Sequence, residues 1–409
     1  MRDLRLRALA DAPDAFGEVH AEAMTRDEKA WHDAVAPRSG VVRYIGERDG
    51  APVGMMVVAL ESEDVTRAHV YAMWVAPEAR SSGVGEALVR AGLAWARRRA
   101  ALDVELRVGK RQQAARRLYL RCGFAPTGET RELRPGSPVM SEVLAVRLPA
   151  LVMGVVNVTP DSFSDGGDYL DPARAIAHGL ELAAAGADIL DIGGEATNPR
   201  AKPVSAADEL RRVLPVLEGL AGSGATLSID TTKAEVARLA IGAGAAIVND
   251  VSGGLFDPGM PAVLAGREVT YVAGHLRGRT LPEVFAAEGT VSWQTVAAEL
   301  ADRLVRLPST GCVWVDPGIG FGKGADPAGN VSLVRHAGDI AATVRRPVVI
   351  GVSRKRFLRR LLGLPDASLD VLDAASALAS IAAVRAGAQV VRVHNVTLLN
   401  TALTQYNKK

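Results

Sequence analysis

From residue 151 onward the chain repeats one design eight times: a short apolar run rich in β-branched residues, a polar residue at its end, then a helical pattern. The runs are 151–158, 187–194, 226–231, 246–252, 269–275, 312–318, 347–353 and 389–395. Helical patterns at 173–185, 206–220, 233–243, 296–307 and 374–386 fall between most of them. Runs that are apolar throughout suit parallel strands covered on both sides. Eight strand–helix units in about 250 residues are the size of a (β/α)8 TIM barrel. A doubly wound open sheet has a similar rhythm, but no G-x-G-x-x-G follows the first run.

The ends of the runs carry Asn157, Glu195 with Thr197, Asp230, Asn249 with Asp250, His275, Asp316, Ser353 with Lys355, and Arg392 with His394. One polar strand end is ordinarily a cap or a turn former. In a barrel, all eight ends open on one mouth, so the recurrence gathers this chemistry at one site. Lys355, Arg392 and His394 come from the last two runs, where such barrels commonly bind phosphate. Asn157 and Asp161 offer hard oxygens suited to Mg²⁺ on a diphosphate. Asp230, Asn249 and Asp316 match the donor and acceptor edge of a fused nitrogen heterocycle. The loops 162–168 and 195–201 read as mobile lids over this mouth.

The first 148 residues follow a different pattern. A strand is expected at 2–9, helical material at 10–30, and strands at 41–47 and 53–59 joined through Asp49-Gly50. The strand 70–75 stops at Ala76-Pro77. The small-residue turn Arg80-Ser81-Ser82-Gly83-Val84-Gly85 then enters a helix over 86–100. At such a turn, free backbone N–H groups and the positive end of the helix dipole converge, and glycine lets a phosphate approach. A strand at 103–108, a helix ending in Leu118-Tyr119, and Gly123-Phe124 come next. Strand-like runs at 125–133 and 140–148 flank a hairpin turn at 134–138. This organisation gives domains at 1–148 and 151–409 with a short linker, 149–150.

Composition narrows the classes. A chain of 409 residues suits two or three domains, and a formal charge of +2 gives no reason to expect nucleic acid. Two cysteines, Cys122 and Cys312, suggest no disulfide framework, and seven histidines show no zinc-binding spacing. No run approaches the roughly 18 apolar residues of a membrane span, so no membrane association is expected and the expected location is the cytoplasm.

The N-terminal segment resembles the GCN5-related N-acetyltransferases, on the Arg80…Gly85 loop, the helix ending in Leu118-Tyr119, and Gly123-Phe124. The resemblance implies an α+β domain that binds acetyl-CoA. The amides of the loop Arg80, Gly83 and Gly85 would hold its pyrophosphate, and the strand with Trp74 and Val75 would offer backbone groups to the pantetheine. Tyr119 would be the catalytic acid that reprotonates the departing thiolate; a buried core tyrosine is the other reading. Gln112 stands where the family usually has Asn.

Residues 151–405 resemble dihydropteroate synthase. The signatures are Asn157-Val158-Thr159-Pro160-Asp161, Asp191-Ile192-Gly193-Gly194-Glu195, Ser228-Ile229-Asp230-Thr231, Asn249-Asp250, Asp316-Pro317-Gly318-Ile319-Gly320-Phe321-Gly322-Lys323, Ser353-Arg354-Lys355 and Arg392-Val393-His394. The resemblance implies condensation of p-aminobenzoate with a dihydropterin diphosphate. Asp230, Asn249, Asp316 and Lys355 would hold the pterin, with Asp316 and Lys355 catalytic. Asn157 would ligand Mg²⁺ and, with Thr197, Arg392 and His394, hold the diphosphate. Thr197, Phe321 and Ser353 would shape the aminobenzoate site. A homodimer through the barrel helices is also implied. The chain departs from the family at Ala196, Asn198 and Arg200, where Ser, Arg and Gly are usual, at Asn395, where Asp is usual, and at Gly274, where a usual methionine's bulk would be missing beside the pterin or amine.

The expected function is therefore a bifunctional enzyme, a synthase barrel joined to an acetyltransferase. A paralogue specialised for another amine or tolerant of sulfonamides is one alternative. A pterin-binding module without catalysis is another; Arg392, His394 and Asn157 weigh against it, because such a module needs no diphosphate grip.

Overall fold

The computed structural model describes the whole chain except residues 135, 137–138, 160–170, 199–201, 287–288, 308–310, 325 and 407–409. It divides into two compact units, Met1–Pro149 and Ala150–Lys409.

The first unit is built on a six-stranded sheet in the order β1-β2-β3-β4-β6-β5. Its strands are β1 (Val41–Arg48), β2 (Ala51–Leu60), β3 (Arg67–Val75), β4 (Asp103–Gly109), β5 (Ala125–Glu132) and β6 (Met140–Arg147). The β1–β2 turn places Asp49 and Gly50 at φ 51° and 77°, the backbone of a tight type I′ hairpin. Only β3 and β4 run parallel, and they pair from Arg67 opposite Asp103 to Val70 opposite Leu106. Past that rung they part, although β3 continues to Val75 and β4 to Gly109. Ala72 at φ 53° and a register shift against Met55 and Val57 mark a bulge where β3 bends away. One face of the sheet packs Val70, Leu106 and Leu144 against Leu88, Trp95, Tyr119 and Phe124. A second cluster joins Leu4, Leu9, Phe16 and Trp31 to Met55 and Trp74.

The expected first strand is a helix, Arg2–Asp11, that buries Leu4, Ala8 and Leu9. The alternation of Leu4 and Leu6 with arginines is too short to decide a period, while 4, 8 and 9 share one helical face and Leu, Arg and Ala all favour helix. The helical material expected over 10–30 is interrupted by a 3-10 turn, Pro13–Ala15. It resumes as His20–Met24 and then as Glu28–Val35, which starts where Asp27 accepts the Ala30 N–H at 2.7 Å.

In the second unit each of the eight expected runs carries a strand. They are β7 (Leu151–Asn157), β8 (Ile189–Gly193), β9 (Thr226–Asp230), β10 (Ile247–Asp250), β11 (Thr270–Gly274), β12 (Cys312–Asp316), β13 (Val349–Gly351) and β14 (Val390–Val393). All pair in parallel in the order β12-β11-β10-β9-β8-β7-β14-β13. A single bridge between Val315 and Val348 brings the two ends together into a nearly closed barrel. Helices start where short side chains cap them: Asp171, Ser205, Ser292 and Ser368 each accept a backbone N–H of the first turn. The apolar layer between strands and helices is continuous, from Val152 and Ile192 through Val248 and Val315 to Val391. No described helix is long and apolar enough to cross a membrane.

Candidate active sites

The strand register sets the barrel mouth. Asn157, Gly193, Asp230 and Asn249 are successive partners across β7, β8, β9 and β10, so they form one layer. A Cβ on Gly193 would lie 3.6 Å from Asp230 Oδ2 and 3.8 Å from Asn157 Oδ1. The glycine therefore leaves the space between these two oxygen donors open.

Two residues earlier on β8, Asp191 is fully buried beneath this layer. Its Oδ1 accepts from Ser228 Oγ at 2.6 Å, and its Oδ2 from Asn249 Nδ2 at 2.9 Å and Arg392 Nε at 2.6 Å. Arg392 Nη2 reaches on to Asp230 Oδ2 at 2.8 Å. Four strands are thus tied by one charged network, and its hydrogen bonds offset the cost of burying the charges. Burial pushes the Asp230 carboxyl up to about 7, against the pull of Arg392.

Across the mouth, Lys355 donates to the Ile319 carbonyl, and its ammonium lies 4.8 Å from the centre of the Phe321 ring. Burial lowers its pKa to about 8, with Asp316 opposing the shift. Asp316 Oδ1 accepts the Gly318 N–H at 2.7 Å. Lys355 is aimed by its neighbour: Arg354, at φ 57°, turns outward to pair with buried Asp373 at 2.6 Å, and Asn395 donates to the same carboxylate at 3.1 Å. An aspartate at 395 would set two carboxylates against each other, which gives this departure from the family pattern a local reason.

His394 Nδ1 and its own N–H both reach Ser353 Oγ, at 2.9 and 3.2 Å. Burial, with Arg354 and Arg392 nearby, drives its pKa down to about 3. The ring is neutral at physiological pH, and with Ser353 donating to Nδ1 it presents Nε2–H as a donor. Ser353 is engaged with His394.

In the first unit, a cavity of about 1210 Å³ is lined by Trp74, Val75, Arg80, Gly83, Gly85 and Tyr119, together with Gln112. Gly83 adopts φ 90°, which a larger residue rarely takes, and a Cβ on Gly85 would meet Leu118 at 3.0 Å. The parting of β3 and β4 beyond Val70 frees one backbone edge of β3 toward this cavity. Arg80 is tied down: Nε donates to the Val75 carbonyl at 3.1 Å and Nη2 to Asp11. Asp11 also accepts from Trp74 Nε1 at 2.8 Å. Tyr119 packs edge-on against Phe124, and burial pushes its phenol well above its ordinary pKa.

The pterin binding enzyme family model matches residues 153–394, more than half of the chain. The chain belongs to the pterin-binding enzymes. The dihydropteroate synthase of Mycobacterium leprae is 43% identical over 259 residues, covering 61% of this chain and 89% of that protein. A folate synthesis bifunctional protein of Arabidopsis thaliana is 38% identical, and this chain spans 54% of its length. Among solved structures, the Xanthomonas albilineans dihydropteroate synthase with 4-aminobenzoic acid superposes with a TM-score of 0.57 at 39% identity. It covers 64% of this chain and 94% of that one. The acetyltransferase (GNAT) family model matches residues 6–124, so the first unit is a GNAT domain preceding the pterin-binding barrel.

Several strand-end residues of this pterin-binding chain lie elsewhere than expected. His275 is fully buried, with Nε2 at 2.8 Å from Glu299 and Nδ1 at 2.9 Å from the ammonium of Lys323, so it anchors the 317–324 loop from below. Glu195 pairs with Lys233, which also holds buried Glu209 at 2.6 Å. Asp250 is sealed by Tyr271 and Ser252. Gly274 opens no space: a Cβ there would lie 2.4 Å from the Val251 carbonyl oxygen, because main chain fills that position. Asp161, Arg200 and the loop 162–168 lie outside the described residues; Thr197 and Asn198 are half-buried. Sequence reasoning quoted Asp191 within a signature without giving it a role, and missed Asp11. The first could have been found as a carboxylate inside an otherwise apolar strand; the second carried no local signal.

Proposed function

We propose that the barrel joins p-aminobenzoate to the methylene carbon of a dihydropterin diphosphate, and that the GNAT domain moves an acetyl group from acetyl-CoA to an amine. The Asp191–Arg392–Asp230 network carries the barrel reading. It presents carboxylate and amide groups to a heterocycle while holding a guanidinium at the layer's edge. The Asn157 side-chain oxygen beside the gap at Gly193 fits a hard cation such as Mg²⁺. Among the described residues no cluster of three acidic, His or Cys side chains is set for a metal; Asp161 lies outside them. Bound there, Mg²⁺ would supply charge neutralisation for the leaving group.

Arg392, the His394 Nε2–H and the Thr197 hydroxyl would meet the diphosphate. The C–O bond breaks with its electron pair on the diphosphate, and Asp316 opposes the positive charge left on the pterin. The amine lone pair then forms the C–N bond, and its proton passes to water. Lys355, charged below about pH 8, holds the pterin beside Phe321, which walls the amine site with Ser353 behind it. Purified protein given the diphosphate, p-aminobenzoate and Mg²⁺ should release pyrophosphate and form dihydropteroate; release only with some other amine would sink the p-aminobenzoate assignment.

Asn198, where the family carries arginine, favours a second reading in which the barrel tolerates sulfonamides. Asn198→Arg should then lower the inhibitory sulfonamide concentration; equal inhibition of both forms removes this reading. Exposed Leu361, Leu362, Leu364 and Leu378 on and beside the helices Arg356–Leu362 and Leu369–Arg385 support a homodimer through the barrel. Sedimentation of a Leu378→Glu variant as a monomer would test it.

In the GNAT domain, the Arg80–Gly85 loop and the parted β3–β4 edge suit the pyrophosphate and pantetheine of acetyl-CoA. Tyr119, kept protonated by burial, would hydrogen-bond the departing sulfur. Saturable acetyl-CoA binding by calorimetry tests this half.

A further inference from the structure

The cavity of the GNAT domain has a second side. Side chains alternate across a strand, so His69 and Glu105 point away from the face on which Val70, Leu106 and Tyr119 pack. They are direct partners on β3 and β4, one rung before the strands part. A thioester entering the split from the Tyr119 side would present its carbonyl carbon to the side where His69 and Glu105 stand. His69 Nε2 lies 3.6 Å from Glu61 and Nδ1 lies 4.0 Å from Glu105. His69 and Glu105 both line the cavity.

Two residues further along β4, on the same face, Arg107 also lines this cavity. It is exposed and has no ion-pair partner among the described residues. Opposite it on β6 stands Val143, and Ala15 and Phe16 supply further apolar wall. A proton acceptor flanked by carboxylates, an apolar wall and a free guanidinium match an amine that carries an anionic group.

Resting on the reading of this unit as an acetyl-CoA-dependent transferase, we propose that His69 is the catalytic base and that Arg107 selects small amines bearing a carboxylate. Glu61 and Glu105 attract the ammonium form of the acceptor, and His69 takes its proton. The freed nitrogen lone pair forms the C–N bond at the thioester carbonyl while the C–S bond breaks. The second N–H proton of the adduct passes through water to the thiolate, directly or by way of Tyr119, which ends protonated as it began, and His69 returns its proton to solvent. The charged groups facing His69 are Glu61, Glu105, Arg67 on its own strand, and Arg107 and Arg131 beyond Glu105.

The test uses the full chain with acetyl-CoA and paired probes: p-aminobenzoate against p-aminobenzamide, and glycine against glycinamide. The pairs separate aromatic from aliphatic acceptors. Free thiol release reports turnover, and calorimetry reports acetyl-CoA binding. The carboxylate member of at least one pair should be preferred about 10-fold or more in kcat/KM. Arg107→Gln should erase that preference through KM. His69→Gln should lower kcat by about 10² or more and remove the acidic limb of the pH profile, with acetyl-CoA affinity unchanged as the sign of an intact fold. Bound acetyl-CoA without acetylation of either carboxylate probe, a preference for the amides, or an unaltered pH profile in His69→Gln overturns this inference alone. Absence of acetyl-CoA binding in the wild type overturns the transferase reading and this inference with it.

Discussion

On the proposed reading, the barrel mouth and the GNAT cavity would hold charged substrates in opposite ways. In the barrel, the side chains proposed for the site are buried or half-buried, and many are already hydrogen-bonded: Asp191 alone organises Ser228, Asn249 and Arg392. Such a site is pre-organised, and each group is expensive to remove because its partners are left buried and unpaired. In the GNAT cavity the binding surface is largely backbone, shaped by positive φ at Ala72, Ser81 and Gly83 and by a split between strands. Its charged groups are half-exposed or exposed. The contrast teaches that substitutions should cost both stability and turnover in the barrel, and mostly binding or turnover in the cavity.

The widest test of that contrast is Asp191→Ala. It should cost about 3–5 kcal/mol in denaturant stability of the barrel and abolish pyrophosphate release. A stable, active variant would show that the network is not what holds the site. Lys355→Ala should lower kcat/KM about 10³-fold. Lys355 carries its charge below its pKa and loses it above. The wild-type rate should therefore fall as pH rises through about 8, and Lys355→Arg should move that limb upward. Installing the family's bulk with Gly274→Met should destabilise the barrel by about 3 kcal/mol, seen as a lower urea midpoint, because Val251 main chain occupies the space. If it instead left stability intact and changed amine preference, the space would be real.

Smaller effects belong to the cavity. Tyr119→Phe should reduce acetyl transfer about 10²-fold with acetyl-CoA affinity retained; an unchanged rate would leave Tyr119 as core packing. Gly83→Ala meets no atom within 4 Å, so only its left-handed backbone is penalised. That is about 1 kcal/mol, readable as a melting temperature of the GNAT domain lower by a few degrees.

The barrel was legible because its periodicity and its chemistry repeat. Eight apolar runs ending in polar residues place Asn157, Asp230, Asn249, Asp316, Lys355 and Arg392 at one end of a parallel sheet whatever the helices do between them. The first helix of the GNAT domain was not legible, since the stretch 2–9 with alternating Leu and Arg fits two periods, and its packing against Phe16 and Trp74 selects the helix. Sequence alone determined which residues reach the mouth, because strand direction is local. Tertiary structure alone decided which of them remain available there. His275, Glu195 and Asp250 are taken up by Lys323, Lys233 and Tyr271 from distant segments. It also decided that Gly274 marks a close approach of main chain and that Asp191 is the buried hub, because hydrogen-bond partners across a barrel are set by register and closure.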